Sequence, residues 1–271
     1  MAKKRVIYAL LYCEGYFMLS RNFRLQRAGD VNWLLKNYNF RKVAASIDEL
    51  IIIDVSRSDP DRKKFLAVVA KVIDCCFVPV ALGGRIDSFE SAAEFIANGA
   101  DKVVVNTAFD TSPDVVRRIA DTFGSQCVIG AMDVRKGSDG SYEVWSDQGT
   151  KSTGLNAFAR YQLMLQAGAG ELLLQSIDKD GTGFGFDFDS LGVFQSPPSV
   201  PVILFGGCGK GEHMLEALRR SDVDAVATAN LFNFIGDGLQ RARQELLAAG
   251  DLDLARWNAA DIELFRAGVR Q

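Results

Sequence analysis

Apolar runs and amphipathic runs alternate along this chain from end to end. The apolar runs cover residues 5–11, 50–55, 78–82, 102–106, 126–133, 172–176, 202–205 and 225–228. Each is nearly continuous in Val, Ile and Leu, which is the signature of strands buried on both faces of a parallel sheet. The stretches between them carry helix punctuation. Ser88 opens 89–98 and Gly99 closes it, while Ser112-Pro113 reads as an N-cap followed by Pro at the first helical position. Eight strand–helix pairs predict an α/β fold, a single (βα)8 (TIM) barrel.

The pattern also repeats at half length. Residues 6–11 align with 128–133 at an offset of 122, and Glu49-Leu50 aligns with Glu171-Leu172 at the same offset. Val78-Pro79-Val80 with Gly83-Gly84 then meets Val200-Pro201-Val202 with Gly206-Gly207. A repeat of this length, built of strand–helix pairs, predicts two half-barrels, about 1–122 and 123–249, within one domain 1–249. Residues 250–271, with Trp257, Leu264 and Phe265, read as a helical C-terminal extension. Three segments exceed the minimal unit, all of them after strands. Residues 12–30 form a long excursion. Residues 134–150 read as a hairpin turning at Asp139-Gly140, and 177–187 form a Gly-rich loop. In a barrel of this kind such loops lie on the catalytic face.

Composition narrows the function classes. The 271 residues carry a net charge of −3 and a pI of about 5.4, which argues against nucleic acid and membrane surfaces as partners. The five cysteines are scattered without a CxxC pair and read as reduced core thiols of a cytoplasmic protein with no signal segment. His213 is the only histidine, so a His-rich metal site is excluded. No metal or cofactor is expected.

Two faces of the predicted barrel carry candidate chemistry. At the top, Gly83-Gly84, Asn106-Thr107-Ala108, Gly206-Gly207-Cys208-Gly209 and Ala229-Asn230-Leu231 follow strands three, four, seven and eight. The last of these is expected to open a short helix. Paired three with four and seven with eight, they predict two anion sites made of backbone N–H groups. Asp133 ends strand five and points at the same mouth, and its counterpart in the first half is Leu11. Asp54, Ser176, Asp178 and Asp180 share that mouth, as acid–base groups or as loop-satisfying ones. At the bottom, Arg5, Glu49, Lys102 and Glu171 each begin a strand. From position alone such charges are either solvated or joined in a ring of ion pairs.

At this point the residues match a family. Lys4-Arg5-Val6-Ile7, Gly99-Ala100-Asp101-Lys102-Val103 with Asn106-Thr107-Ala108, Phe123-Gly124-Ser125-Gln126-Cys127, Ala167-Gly168-Ala169-Gly170-Glu171 and Asp178-Lys179-Asp180-Gly181-Thr182 carry the match. Over about residues 3–247 the chain resembles the cyclase subunit of imidazole glycerol phosphate synthase, the ammonia-using barrel of histidine biosynthesis. The resemblance implies that Arg5, Glu49, Lys102 and Glu171 form the gate for ammonia from a glutaminase (class I amidotransferase) subunit, with Asp101 on the rim facing it. It places the second catalytic aspartate on Asp133. Taken with the anion loops read above, the expected phosphate-binding set is Gly83, Gly84, Arg85, Asn106, Thr107, Asp180, Gly181, Gly207 and Asn230.

The departures from the family are local. Its first catalytic aspartate falls on Leu11 and its loop-one lysine on Leu19. Arg85 stands for a glycine, Asp87 for an arginine, and Gln175 and Asn230 for other ligand positions. The leading expectation is an ammonia-channelling barrel of a glutamine amidotransferase complex. It resembles paralogues that serve the amidation of phosphorylated or nucleotide-linked sugars in surface glycans, with a third amidating enzyme as a further partner. The alternatives are a genuine cyclase in which Asp54 or Glu14 replaces the missing carboxylate, and a non-catalytic phosphosugar-binding scaffold.

Overall fold

A computed structural model describes residues 3–57, 61–195 and 197–256. These residues hold twelve strands and nine α-helices. Eight strands close a parallel barrel: β1 (Arg5–Cys13), β4 (Glu49–Asp54), β5 (Val80–Gly83), β6 (Lys102–Val105), β7 (Val128–Lys136), β10 (Glu171–Ser176), β11 (Val202–Phe205) and β12 (Ala225–Thr228). They neighbour one another in that order, and β12 returns to β1. The remaining four strands form two antiparallel outgrowths at the top. β2 (Tyr16–Arg21) and β3 (Arg24–Gly29) extend β1, and β8 (Tyr142–Ser146) and β9 (Lys151–Asn156) extend β7. The excursion 12–30 is thus a hairpin rather than an irregular loop. The hairpin expected after strand five is present and gains a further strand.

Alternation along each strand sorts the side chains. Val6, Tyr8 and Leu10 of β1 face outward into the large core under the helices. Ile7 and Ala9 face inward, with Ile51, Ala81, Val104, Ile129, Ala131, Leu173, Ile203, Phe205, Ala225 and Ala227 from the other strands. The barrel interior is therefore an apolar column. The same parity sets both of its ends. Arg5 and Leu11 share a face with Ile7, and Lys102 and Asn106 share one with Val104. Glu171 and Gln175 share one with Leu173, and Ile129 and Ala131 lead up to Asp133.

The helices follow their punctuation, with two corrections. Ser88 and Ser91 form a capping box at the start of α4 (Phe89–Ala97), and Asn156 caps α7 (Ala157–Gln166) through Ala159 N–H. Pro113 begins α6 (Pro113–Phe123) as expected, but Ser112 makes no side-chain cap; the proline alone sets the start. The segment after Ala229 forms turns, not a helix, and the next helix, α9 (Gly238–Ala249), begins only at Gly238. Asn230 Oδ1 accepts from Asn233 N–H and tightens those turns.

Both ends of the described chain seal the seam between β1 and β12. Lys4 N–H donates to Asp253 O at 2.8 Å and Ala255 N–H to Lys4 O at 2.9 Å. Arg243 on α9 (Gly238–Ala249) donates to buried Asp48 at 2.5 Å, and Arg256 reaches the Ala44 and Ile47 carbonyls. Residues 251–256 are thus non-helical chain laid against Lys4. The helix expected further on, with Trp257, Leu264 and Phe265, lies outside the described residues.

Candidate functional site

The four charged strand starts meet under the apolar column. The Arg5 guanidinium donates to both Glu49 and Glu171. Lys102 Nζ donates to the same two carboxylates, at 3.0 Å to Glu49 and 2.9 Å to Glu171. Each cation bridges both anions, so the ring closes on itself, and both glutamates are buried. Burial alone would raise the Glu49 carboxyl, but Arg5 and Lys102 outweigh it and hold it below the usual range. The same mutual attraction overcomes burial at Lys102 and raises its proton affinity. Asp101 lies beside Lys102 on the rim. Its carboxylate accepts from Val80 N–H at 2.8 Å, as Asp224 does from Val202 N–H at 3.0 Å in the second half.

At the top the column opens into a cavity of about 300 Å³. Leu11, Ile53, Ala131 and Leu173 line its floor, and Asn106, Asp133 and Gln175 supply polar groups. Asp133 is 6% exposed and accepts from Asn106 Nδ2 at 2.8 Å. Burial pushes its carboxyl up to about 7; the Asn106 amide opposes this and the charge of Asp180 adds to it. Such a group can hold or release a proton near neutrality. Leu11, also 6% exposed, presents only methyl groups where the barrel's symmetry would place a second carboxylate.

The predicted anion loops fall into two groups. Gly84, Arg85, Asn106 and Thr107 border the first cavity, with Gly83 just beneath them in β5. Gly84 has φ +119° and sits so close to the Asp54 backbone that a Cβ would meet its carbonyl oxygen at 2.6 Å. Gly181, Gly207, Asn230 and Asp180 border a second cavity of about 240 Å³, with Leu19, Arg21 and Arg24. Ser20 lies on both borders.

Several candidates are engaged elsewhere. Arg85 turns its guanidinium onto the Arg57 carbonyl at 2.7 Å. Asp54 accepts from the Ser56 N–H and hydroxyl at 3.0 and 2.6 Å, which serves its own loop. Asp180 accepts from the Ser20 hydroxyl and from Phe23 N–H at 3.0 Å, anchoring the β2–β3 hairpin. Ser176 donates to Asp187 at 2.8 Å, and Asp178 accepts from Lys136 N–H at 2.9 Å. Glu14 is exposed in the turn between β1 and β2, away from both cavities. Asp87 borders the first cavity and is exposed. Among the described residues no group of His, Cys, Asp and Glu could hold a metal, and no helix is long and apolar enough to cross a membrane.

Two features escaped sequence reasoning. The first cavity is roofed by its two hairpins. Arg57 Nε donates to Gln148 at 3.2 Å and Arg57 Nη2 to the Phe23 carbonyl at 3.1 Å, while Gln148 Nε2 donates to the Ser56 carbonyl at 3.2 Å. The Phe23 ring sits on Gly149, whose φ of +72° and lack of a side chain admit it. The second feature is Arg160, fully buried on α7 and bonded to Asp110 and Asn106. Its signal was a cation on the apolar face of a helix, at the spacing Ala157, Arg160, Tyr161, Met164.

Comparison with known proteins agrees with this geometry. The family described as Histidine biosynthesis protein matches residues 23–236. A relative from Parasynechococcus marenigrum (strain WH8102), named provisionally as imidazole glycerol phosphate synthase subunit hisF2, is 43% identical over 257 residues, 95% of either chain. Imidazole glycerol phosphate synthase subunit HisF of Caulobacter vibrioides (strain NA1000 / CB15N) is 37% identical, covering 92% of this chain and 95% of its own. That of Chlorobium limicola (strain DSM 245 / NBRC 103803 / 6330) is 38% identical, covering 92% and 98%. With an eight-stranded barrel, a polar mouth and a match across nearly its whole length, the chain belongs to the HisF family of histidine-biosynthesis proteins.

Proposed function

We propose that this barrel is the ammonia-accepting subunit of a glutamine amidotransferase complex whose cyclase chemistry is lost or strongly reduced. The observation that carries the reading is the contrast between a complete ion ring at the bottom and Leu11 opposite Asp133 at the mouth. In this reading a class I glutaminase docks beneath the ring, with Asp101 on the rim it covers. Arg5, Glu49, Lys102 and Glu171 form the gate, and movement of Lys102 opens it. Neutral ammonia then crosses the apolar column, whose walls disfavour the charged ammonium ion. It reaches a phosphorylated or nucleotide-linked sugar at the mouth. There the loops of Gly83, Gly84, Arg85, Asn106 and Thr107, and those of Asp180, Gly181, Gly207 and Asn230, hold its anionic groups. Asp133 is placed to hold or release a proton there.

Surface-glycan amidation is the pathway class, by analogy with divergent paralogues of the family. A third, amidating enzyme is the other place for the nitrogen transfer in that scheme, in which case the barrel conducts ammonia to it and Asp133 is dispensable; the complex is cytoplasmic. The hisF2 designation of the 43% relative, set apart from the HisF names at 37–38%, fits a divergent branch.

A second reading, a genuine cyclase, draws on the names of those HisF relatives. It requires Asp133 to work without an opposed carboxylate, since Asp54 is committed to Ser56. Removing one well-placed acid or base commonly lowers rate by ~10²–10⁴-fold. Complementation of a strain lacking the histidine-pathway cyclase separates the two. The expected result is no growth without histidine, whereas growth promotes the cyclase. Reconstitution with the glutaminase from the same gene cluster should stimulate glutamine hydrolysis, and failure to bind it removes the ammonia-accepting role.

A further inference from the structure

Arg160 makes an unusual set of contacts for a residue with no exposure. One arm of its guanidinium, Nη1, is paired with Asp110 on the short helix α5 (Ala108–Thr111). The other arm, Nη2, donates to the Asn106 main-chain carbonyl at 2.9 Å and makes a longer contact of 3.5 Å to Asn106 Oδ1. Its Cζ lies 5.5 Å from the Phe109 ring centre. Nε has no hydrogen-bond partner among the described residues. Burying a cation this deeply is unfavourable unless its partners are fixed. Two of the three groups it grips belong to Asn106, the residue that donates to Asp133.

We infer that Arg160 is a positioning residue: by holding the Asn106 carbonyl and side-chain oxygen from behind, it keeps the Asn106 NH2 group turned toward Asp133. An asparagine amide has two different faces. With its oxygen drawn to a cation, only the NH2 side remains for the carboxylate. Released from Arg160, the amide is free to turn over. Its oxygen would then face Asp133, repel the carboxylate and accept a hydrogen bond from the protonated carboxyl instead. The chain α7–Arg160–Asn106–Asp133 thus lets a helix on the outside of the barrel set the proton affinity of a group at the mouth. The inference holds whichever acceptor the barrel serves. The other charged groups are Asp54, Arg57, Arg85, Asp87 and Asp147 around the same cavity, and Asp180, Arg21 and Arg24 around the second; no bond joins any of them to Asp133 among the described residues.

The test is a carboxyl ¹³C NMR titration of the whole chain, with the Asp133 signal assigned through Asp133→Asn. Arg160→Lys keeps a charge against Asp110 but removes the second arm of the fork. Arg160→Met with Asp110→Asn removes both charges and leaves no buried ion alone. Retention of native dispersion in the amide spectrum certifies each fold. The expected result is an Asp133 titration near pH 7 in the parent chain, displaced upward by about half a unit in Arg160→Lys and by about one unit in the double variant. A merely structural role would leave that titration in place. An Asp133 midpoint unmoved in Arg160→Lys, or in the folded double variant, overturns the inference, and so does a downward displacement.

Discussion

Glu49 and Asp133 are buried carboxylates on inward faces of the same barrel, one at each end, and their surroundings drive them in opposite directions. Glu49 lies between Arg5 and Lys102, which hold it ionised despite burial. Asp133 has burial against it, one amide donor for it and, among the described residues, no cation bonded to it, so its carboxyl rises to about 7. Burial is common to both; the cations decide the sign. Proton linkage then makes the two ends unequal in stability. Glu49 contributes stability above the unfolded value of about 4.3, and that contribution is lost as pH falls through its lower folded value. Asp133 binds its proton more tightly folded than unfolded. It favours the fold below about pH 4 and withdraws that support as pH rises from about 4 to about 7. The bottom holds its charges ionised. The mouth holds a destabilised acid, the usual mark of a reacting site.

Replacing a cation of the ring should have the largest effect. Arg5→Met leaves two buried carboxylates sharing Lys102 alone, and removal of one partner from a buried ion network costs about 3–5 kcal/mol. Urea unfolding at pH 7 measures it. A loss below about 1 kcal/mol would mean that the ring behaves as a set of surface pairs. Asp133→Asn should do the reverse. At pH 8 it should stabilise the fold by roughly 2–4 kcal/mol, and at pH 4 by almost nothing, the difference following from a carboxyl held at about 7 against ~3.9 unfolded. A gain independent of pH would remove Asp133 from the comparison.

Leu11→Asp sharpens the contrast at the mouth. It places a second acid in the first cavity, costs about 1–3 kcal/mol and should raise the Asp133 midpoint further. It should not restore histidine-independent growth, because Leu19, Arg85 and Asp87 still differ from the family pattern. The smallest effect is expected at the roof. Gly149→Ala puts a Cβ against the Phe23 ring on a left-handed backbone, worth about 1 kcal/mol. Limited proteolysis should then cut faster within 21–24, with the barrel strands still resistant.

The barrel was legible because strands buried on both faces must be apolar throughout, and 202–205 and 225–228 coincide with β11 and β12. The end of β1 was less so. Residues 12–30 mix aromatics and arginines without clean alternation, since β2 buries only the adjacent Phe17 and Met18 and β3 has no buried residue. The charged strand starts were visible as residues, but nothing local separates a solvated charge from a paired one. Only the closure of the barrel brings residues 5, 49, 102 and 171 together. Arg160 was overlooked for a related reason: its partners Asn106 and Asp110 are about fifty residues away. The helix expected after Ala229 does not form although Asn230 accepts from Asn233 N–H in the pattern of an N-cap: residues 231–237 stay in turns, and Gly236, at a left-handed φ of +68°, sets them apart from the helix that begins at Gly238.

The seam has a consequence for how the polypeptide is made. Arg5 pairs with Ala225, and Lys4 with Leu254. At ~5–20 residues per second of synthesis, the first strand waits roughly 10–45 s for its second neighbour to exist. During that interval β1 can lie against β4, but its other edge of backbone N–H and C=O groups stays open. A nascent first half is therefore a sticky, unfinished cylinder wall, and residues 225–228 and 254, made long after it, serve as its closing stitch.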